Sequence, residues 1–449
     1  MSLILLIPGI ISLYLVLRGR IETAFLSVYL PCLLCLPESY SLRIPHLPPA
    51  SASQFALIPL GVVGLVRLIR SGSFVLMDIL VVLYAASISL SEILHTPVLN
   101  DAIFATKDAF VTIVLAYMAG RQLIEPDLRL ATVRRFVILV LLDFFSGLYE
   151  WRLGQSLYGI FGVRVLGLST IGENVQIRNG HGRMALVLGG SEPSGIVFAM
   201  TLCLNAWLVY LRRVEAPVDL GKTLTTLEKY HVPGLLLFLC LWMTQARGPL
   251  IAFAAGYLIL QIPRFKNTLL MTFVTAVLLV GGYVATSGFF ASYTNVTQAT
   301  NEQQGSAMYR REMNLVYPAI AELGGWTGWG APGFPRVGGM DSIDNHYLLV
   351  HLAWGRLGYI LFLLIVWENI RVLLVRSWQL DALEDRAFIF SMLAAMVVLW
   401  FTLLTVFMGG QLPQISFLLI GWIQSTGQSR WTEEQPQQMS PFSFRRVFS

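Results

Sequence analysis

Apolar stretches close to the thickness of a bilayer recur along the whole chain, and they decide what it can fold into. Scanned with a window of about 19 residues, the sequence has apolar runs near residues 3–17, 21–37, 53–69, 73–91, 103–120, 136–149, 184–211, 232–246, 249–263, 268–287, 347–370, 387–408 and 412–425. About 20 apolar residues cross a hydrocarbon core as a helix, which satisfies every backbone polar group internally. The expected fold is an all-α polytopic membrane protein with about 12–13 transmembrane helices. The first two runs are short and Pro31 and Pro37 interrupt the second, so twelve spans or a re-entrant start are the alternatives.

As a soluble chain, 449 residues would suggest about three domains. Only 13% are charged, against 55% hydrophobic and a mean hydropathy of +0.66. A soluble domain carries about 25% charge, so lipid-facing surface replaces what is missing. Disorder, a disulfide scaffold and nucleic-acid binding are excluded. The net charge of +5 reflects mostly arginines in short loops. Cys32, Cys35, Cys203 and Cys240 all lie in apolar runs, so Cys32-Leu-Leu-Cys35 reads as helix packing and no metal site is expected. The N-terminus has no basic n-region or A-x-A site and reads as a first span, not a cleaved signal.

The basic residues Arg18/Arg20, Arg67/Arg70, Arg121/Arg129/Arg134/Arg135, Arg212/Arg213/Lys222/Lys229, Arg264/Lys266 and Arg371/Arg376/Arg386 fall on alternate connections. The positive-inside bias makes those loops cytoplasmic. The opposite side, periplasmic in a bacterium, carries the long connections 150–183 and 288–345 and the tight turn at Arg247. Three segments follow: N-terminal transmembrane helices over 1–183, a membrane domain over 184–425 containing the loop 288–345, and a polar, disordered cytoplasmic tail over 426–449. Within the loop, 308–323 has helical apolar spacing at Met313, Val316, Ile320 and Leu323. A turn-rich Gly324-Gly-Trp-Thr-Gly-Trp-Gly follows, suiting a structured lid on the membrane surface.

Soluble-enzyme signatures (G-x-S-x-G, P-loop, H-E-x-x-H) are absent, which leaves charged residues on the outer side. Arg247 sits in Thr244-Gln-Ala-Arg-Gly-Pro249, a turn of a few residues between two apolar runs. Its planar fork suits a phosphate or pyrophosphate; the alternative is snorkelling to lipid phosphates. Asp344-Asn345-His346-Tyr347 closes the loop and opens a helix, with Asp344 or Asn345 as N-cap. His346 then faces the exterior in the first turn, where the helix dipole favours a neutral, proton-accepting imidazole. The bland alternative is an interfacial histidine. Arg310 and Arg311 are adjacent, so at most one of them faces a ligand. Otherwise both pair with carboxylates such as Glu312, Glu322 or Asp341.

In combination these segments resemble the O-antigen ligase and polymerase family. The resemblance rests on Ser306-Ala-Met-Tyr-Arg-Arg-Glu-Met, Gly328-Trp-Gly330, Ile343-Asp-Asn-His-Tyr-Leu348 and Gly355-Arg-Leu-Gly358, with Thr244-Gln-Ala-Arg-Gly248 and Arg183 before Gly189-Gly-Ser-Glu-Pro193. It covers roughly residues 180–370. A departure is Glu192 before Pro193, where the family often has histidine.

The resemblance implies a GT-C-like, metal-independent, inverting glycosyltransferase of a bacterial inner membrane, with its active site facing the periplasm and no cofactor. It would pass a glycan from undecaprenyl diphosphate to an acceptor hydroxyl on a growing glycan, the lipid A core or a protein, and the product would be O-antigen, capsule or exopolysaccharide. The family's catalytic histidine maps to His346 and its diphosphate-binding arginines to Arg247 and Arg310, with Arg311 the fallback. Arg183, Asp344, Asn345 and Arg356 are further candidates. The mapping fits the chemistry independently, since a sugar diphosphate needs charge stabilisation, positioning and removal of one proton. Trp326, Trp329, Phe334 and Tyr347 are candidate sugar-stacking or interfacial aromatics. Asp78, Lys107, Asp108, Asp143, Glu192 and Arg356 are charges within or beside spans; counted from His346, Arg356 falls about 15 Å deep. The rival class is a transporter or flippase of lipid-linked glycan, disfavoured by polar features gathered on one side.

Overall fold

The computed structural model describes residues 2–42, 48–168, 174–214, 231–295, 300–338, 340, 342–380 and 382–426. Almost all of the expected tail, 427–449, therefore lies outside the described residues, as does Asp341. Each apolar run has a helix as its body. In chain order these are α1 (Ile7–Leu17), α2 (Ile21–Cys35), α3 (Ala52–Ser71), α4 (Leu76–His95), α5 (Leu99–Leu123), α6 (Arg129–Leu153), α7 (Leu157–Arg164), α8 (Ser191–Val214), α9 (Val232–Met243), α10 (Arg247–Gln261), α11 (Thr268–Thr294), α12 (Glu302–Leu323), α13 (His346–Gln379), α14 (Leu383–Thr402) and α15 (Leu412–Ser425). Among the described residues the strands are two-residue pairs, Ser41–Leu42 with Ala50–Ser51 and Ile177–Arg178 with His181–Gly182.

This is the architecture of an all-α membrane protein. Among the described residues six helices, α3, α4, α5, α8, α13 and α14, are long and apolar enough to cross a membrane. Others are apolar but shorter, including α2 and α9. α2 is continuous despite Pro31, because a π-turn over Phe25–Tyr29 precedes the proline and absorbs its missing N–H. Helix ends follow local chemistry. Ser51 and Gln54 form a capping box on α3, and Asn301 accepts from Gln304 N at 2.8 Å to open α12.

The chain divides into two compact units that are discontinuous in sequence. The first comprises Met1–Val82, Lys107–Ala246 and the described part of Gly409–Ser449. Within it α15 crosses α5 backbone to backbone. A Cβ on Gly421 would lie 2.0 Å from the Tyr117 carbonyl oxygen, and one on Gly120 2.0 Å from that of Leu418. Only small residues permit this approach. The in-span charges of this unit have partners inside it. Arg121 Nε lies 2.8 Å from Asp78 Oδ1 with both side chains buried, Lys107 and Asp108 share Gln54, and Asp143 accepts from Tyr158 Oη at 2.6 Å.

The second unit comprises Leu83–Thr106 and Arg247–Met408. Here the 288–345 loop has its own small core. Met313, Tyr317 and Ala321, spaced by one helical turn on α12, are buried with Phe334, Met340, Ile343, Leu348 and Leu352. α12 starts at Glu302, earlier than the apolar spacing predicts, and Leu323 is exposed instead of joining the buried face.

The long helix α13 is broken at Gly355, whose φ of 67° and ψ of −166° only glycine adopts readily. The glycine-rich turn fills the break. Trp329 N and Gly330 N donate to Leu352 O (3.0 Å) and Ala353 O (2.8 Å), while Arg356 N and Leu357 N donate to Gly325 O (3.0 Å) and Trp326 O (3.1 Å). Beyond the break, 356–379 extends roughly 36 Å at 1.5 Å per residue, enough to cross a bilayer alone. Arg356 therefore begins this segment, and the 1.5 Å-per-residue count from His346 does not run through the break.

Candidate functional site

His346 is the first residue of α13. Asn345 is the N-cap, accepting from Leu348 N at 3.2 Å, and its Nδ2 donates to Asn314 Oδ1 of α12 at 3.2 Å. The expectation of an imidazole facing the exterior does not hold, because His346 is only 4% exposed and stands edge-on to Phe362. Its backbone N donates to Leu403 O at 2.9 Å, and its Nδ1 accepts from Met408 N at 3.3 Å. A backbone amide can only donate, so Nδ1 carries no proton and the neutral ring keeps its hydrogen on Nε2.

Arg247 opens α10 and is exposed, and among the described residues its guanidinium has no ion-pair or hydrogen-bond partner. Two positive features coincide there, the guanidinium and the helix N-terminus with its unsatisfied N–H groups. The preceding turn is rigid: Thr244 is fully buried, its Oγ1 accepts from Ala246 N at 3.3 Å, and Gln245 takes a left-handed φ of 54°. Gly248 abuts the turn after α14, where a Cβ would lie 2.9 Å from Thr405 Oγ1. The segment 402–408 thus touches the start of α10 at Gly248 and the start of α13 at His346, bringing Arg247 and His346 to the same end of this unit.

Arg310 and Arg311 leave α12 in different directions, as their adjacency requires. Arg310 Nη2 lies 3.5 Å from Asp344 Oδ2, and its buried Nε has no partner among the described residues. Arg311 turns away and donates to Thr294 O at 3.1 Å and Asn295 Oδ1 at 3.3 Å. Neither pairs with Glu312 or Glu322. Asp344 also accepts from Ser342 Oγ at 2.8 Å, so Arg310 ties α12 to the segment that delivers His346.

The other two arginines are structurally engaged. Arg183, in the first unit, is 3% exposed; Nη1 donates to Gln176 Oε1 (2.6 Å), Nη2 to Glu192 Oε1 (3.0 Å) and Nε to Thr244 O (3.2 Å). A guanidinium so enclosed braces the 244 turn and offers no free edge to a ligand. Arg356 is exposed and holds Glu322 of α12 through Nε at 3.0 Å and through Nη2. That bond, chiefly, lowers the Glu322 pKa below its ordinary 4.5 against the opposing effect of desolvation, with smaller contributions from the charges of Arg356 and His351.

Of the four aromatics, Trp329 donates to Ile320 O (3.0 Å), Phe334 is in the loop core and Tyr347 Oη donates to Trp400 O (3.1 Å); Trp326 alone of the four stays exposed. Sequence reasoning missed Glu92, a buried carboxylate on α4 that accepts from Ala331 N (2.7 Å), Thr96 Oγ1 (2.8 Å) and Trp354 Nε1 (3.3 Å). The available signal was a lone carboxylate at the end of an apolar run. Among the described residues no group of three or more His, Cys, Asp or Glu is arranged to hold a metal, and the cysteines are free. No family model matches this chain, and no curated protein matches it.

Proposed function

We propose that this chain is a membrane glycosyltransferase that moves a glycan from undecaprenyl diphosphate to an acceptor hydroxyl at the periplasmic face of a bacterial inner membrane. The acceptor is a growing glycan, the lipid A core or a protein, and the product is O-antigen, capsule or exopolysaccharide. The reading takes the chain as a GT-C-like protein of twelve or thirteen spans, with arginine-rich loops cytoplasmic and the 288–345 loop outside. The observation that carries it is the Arg247 guanidinium, without an ion-pair or hydrogen-bond partner among the described residues, at a helix N-terminus and at the same end of one compact unit as His346.

In this mechanism Arg247 binds the diphosphate, and Arg310 swings from Asp344 to join it, its distance of 3.5 Å being a loose contact. The charge that grows on the diphosphate as the glycosidic bond breaks is met by fixed positive groups. His346 accepts or relays the acceptor hydroxyl's proton, which requires its Nδ1 to release the Met408 amide. A single displacement inverts the anomeric carbon, and neither metal nor cofactor takes part. The test is turnover of an undecaprenyl-diphosphate-linked glycan by purified protein in detergent with excess chelator. Transfer that survives chelation and falls by two orders of magnitude or more in Arg247→Ala supports the reading; equal turnover in Arg247→Ala overturns it.

One observation favours transport instead, the break in α13, because transporters use interrupted helices. Here the glycine-rich turn satisfies the freed backbone groups, and the break lies at one end of the spanning segment. Enzymatic transfer therefore accounts for more of the site.

A further inference from the structure

We infer that the C-terminal end of α12 and the turn after it dock on the bilayer surface, with Leu323 and Trp326 seated among lipid headgroups and upper acyl chains. Leu323 is 77% and Trp326 62% exposed, large apolar side chains three residues apart, whereas Tyr309, Tyr317, Trp329 and Phe334 of the same loop are buried or half-buried. Leu315, two helical turns earlier on the same side of α12, is exposed as well.

Two contacts fix the level of this surface. Trp326 O accepts from Leu357 N, and Glu322 is held by Arg356, so the patch is joined to the first two residues of the spanning segment of α13. From there the outward face of α13 continues as Ile360, Leu364 and Trp367, at i, i+4 and i+7, all exposed in this chain. On a helix of membrane-spanning length that face meets lipid, and the Leu323–Trp326 surface is its direct extension past the helix end. An indole there lies where the water–lipid boundary falls, the position Trp favours. Glu312, exposed on the same side of α12, keeps the occupant at headgroup depth, because a carboxylate is not accommodated in hydrocarbon. The occupant is thus a lipid surface, and the 288–345 loop is held against the membrane by its own side chains as well as by the chain's spans.

The experiment compares emission of the full-length protein and its Trp326→Phe variant in lipid nanodiscs, so that the difference spectrum reports Trp326. Nanodiscs contain either native phosphatidylcholine or phosphatidylcholine brominated near the top of the acyl chains. An unchanged thermal midpoint for the variant establishes that it folds. The difference emission should be quenched several-fold more in brominated than in native lipid and be shielded from aqueous iodide. Quenching by iodide with no effect of bromination overturns the inference, as does a difference emission that responds to soluble oligosaccharide but not to brominated lipid, which would make Trp326 a sugar platform. None of these outcomes depends on glycan transfer.

Discussion

In the proposed mechanism His346 must combine two requirements that compete, burial and access to a substrate. Its backbone amide and Nδ1 are both spent on the turn after α14, so the ring is oriented as firmly as a core residue. We expect His346→Ala to lower kcat by about 10²–10⁴, the usual range for losing a general acid or base, while KM for the lipid-linked donor changes little. Arg247→Lys should retain some donor binding and lose most of the rate, because an ammonium cannot reproduce the bidentate fork; steady-state kinetics on purified protein separate the two. Glu322 supplies a pH signature. Its pKa is depressed by Arg356, so the pairing is in place at neutral pH and is lost as pH falls through the depressed value, below 4.5. Protection factors of the amides of residues 324–330, taken after dividing out the intrinsic pH dependence of exchange, should fall over that acidic range in wild type and be already low, and unchanging with pH, in Glu322→Gln.

At the scale of elements, the glycine-rich turn and the break in α13 form one device: the turn donates to and accepts from the groups the break sets free. Gly355→Ala forces a side chain into a backbone region reserved for glycine, and its Cβ would lie 2.3 Å from Gly328 N. The expected cost is about 1–3 kcal/mol, read as a lower thermal midpoint with faster proteolysis of the loop. The Arg183 brace is a second such device. Removing one partner from a buried charged network costs about 3–5 kcal/mol. Arg183→Ala should therefore lower yield and stability, and the folded fraction should keep its affinity for the lipid-linked donor.

The sequence made the helices legible because apolar run length is a strong signal, and it made a cap at Asp344 or Asn345 and the divergence of Arg310 from Arg311 legible because both follow from helix geometry; the structure selects Asn345. It hid the α13 break, since apolar residues continue on both sides of Gly355 and a helical count from His346 to Arg356 has no local signal to stop it. It also hid the Arg356–Glu322 and Glu92–Ala331 contacts, which join residues 34 and 239 positions apart and leave no local pattern.

For the whole molecule, the two compact units each gather segments far apart in sequence, the first joining α15 to α5 and the second joining Leu83–Thr106 to everything from Arg247 to Met408. Arg247, Arg310, Asp344 and His346 all belong to the second, whereas Arg183 belongs to the first. The proposed chemistry therefore rests on one unit that carries both the loop and its supporting helices. The most direct measurement is glycan output, by gel ladder and carrier-lipid analysis, in a deletion strain complemented with wild type, Arg247→Ala, Arg310→Ala or His346→Ala. The account predicts that the deletion and all three variants, each present in the membrane at wild-type level, accumulate lipid-linked glycan without transfer, single repeats for a polymerase and long chains for a ligase. Variants that restore the wild-type ladder, with only the deletion defective, would contradict it and make transport the leading reading.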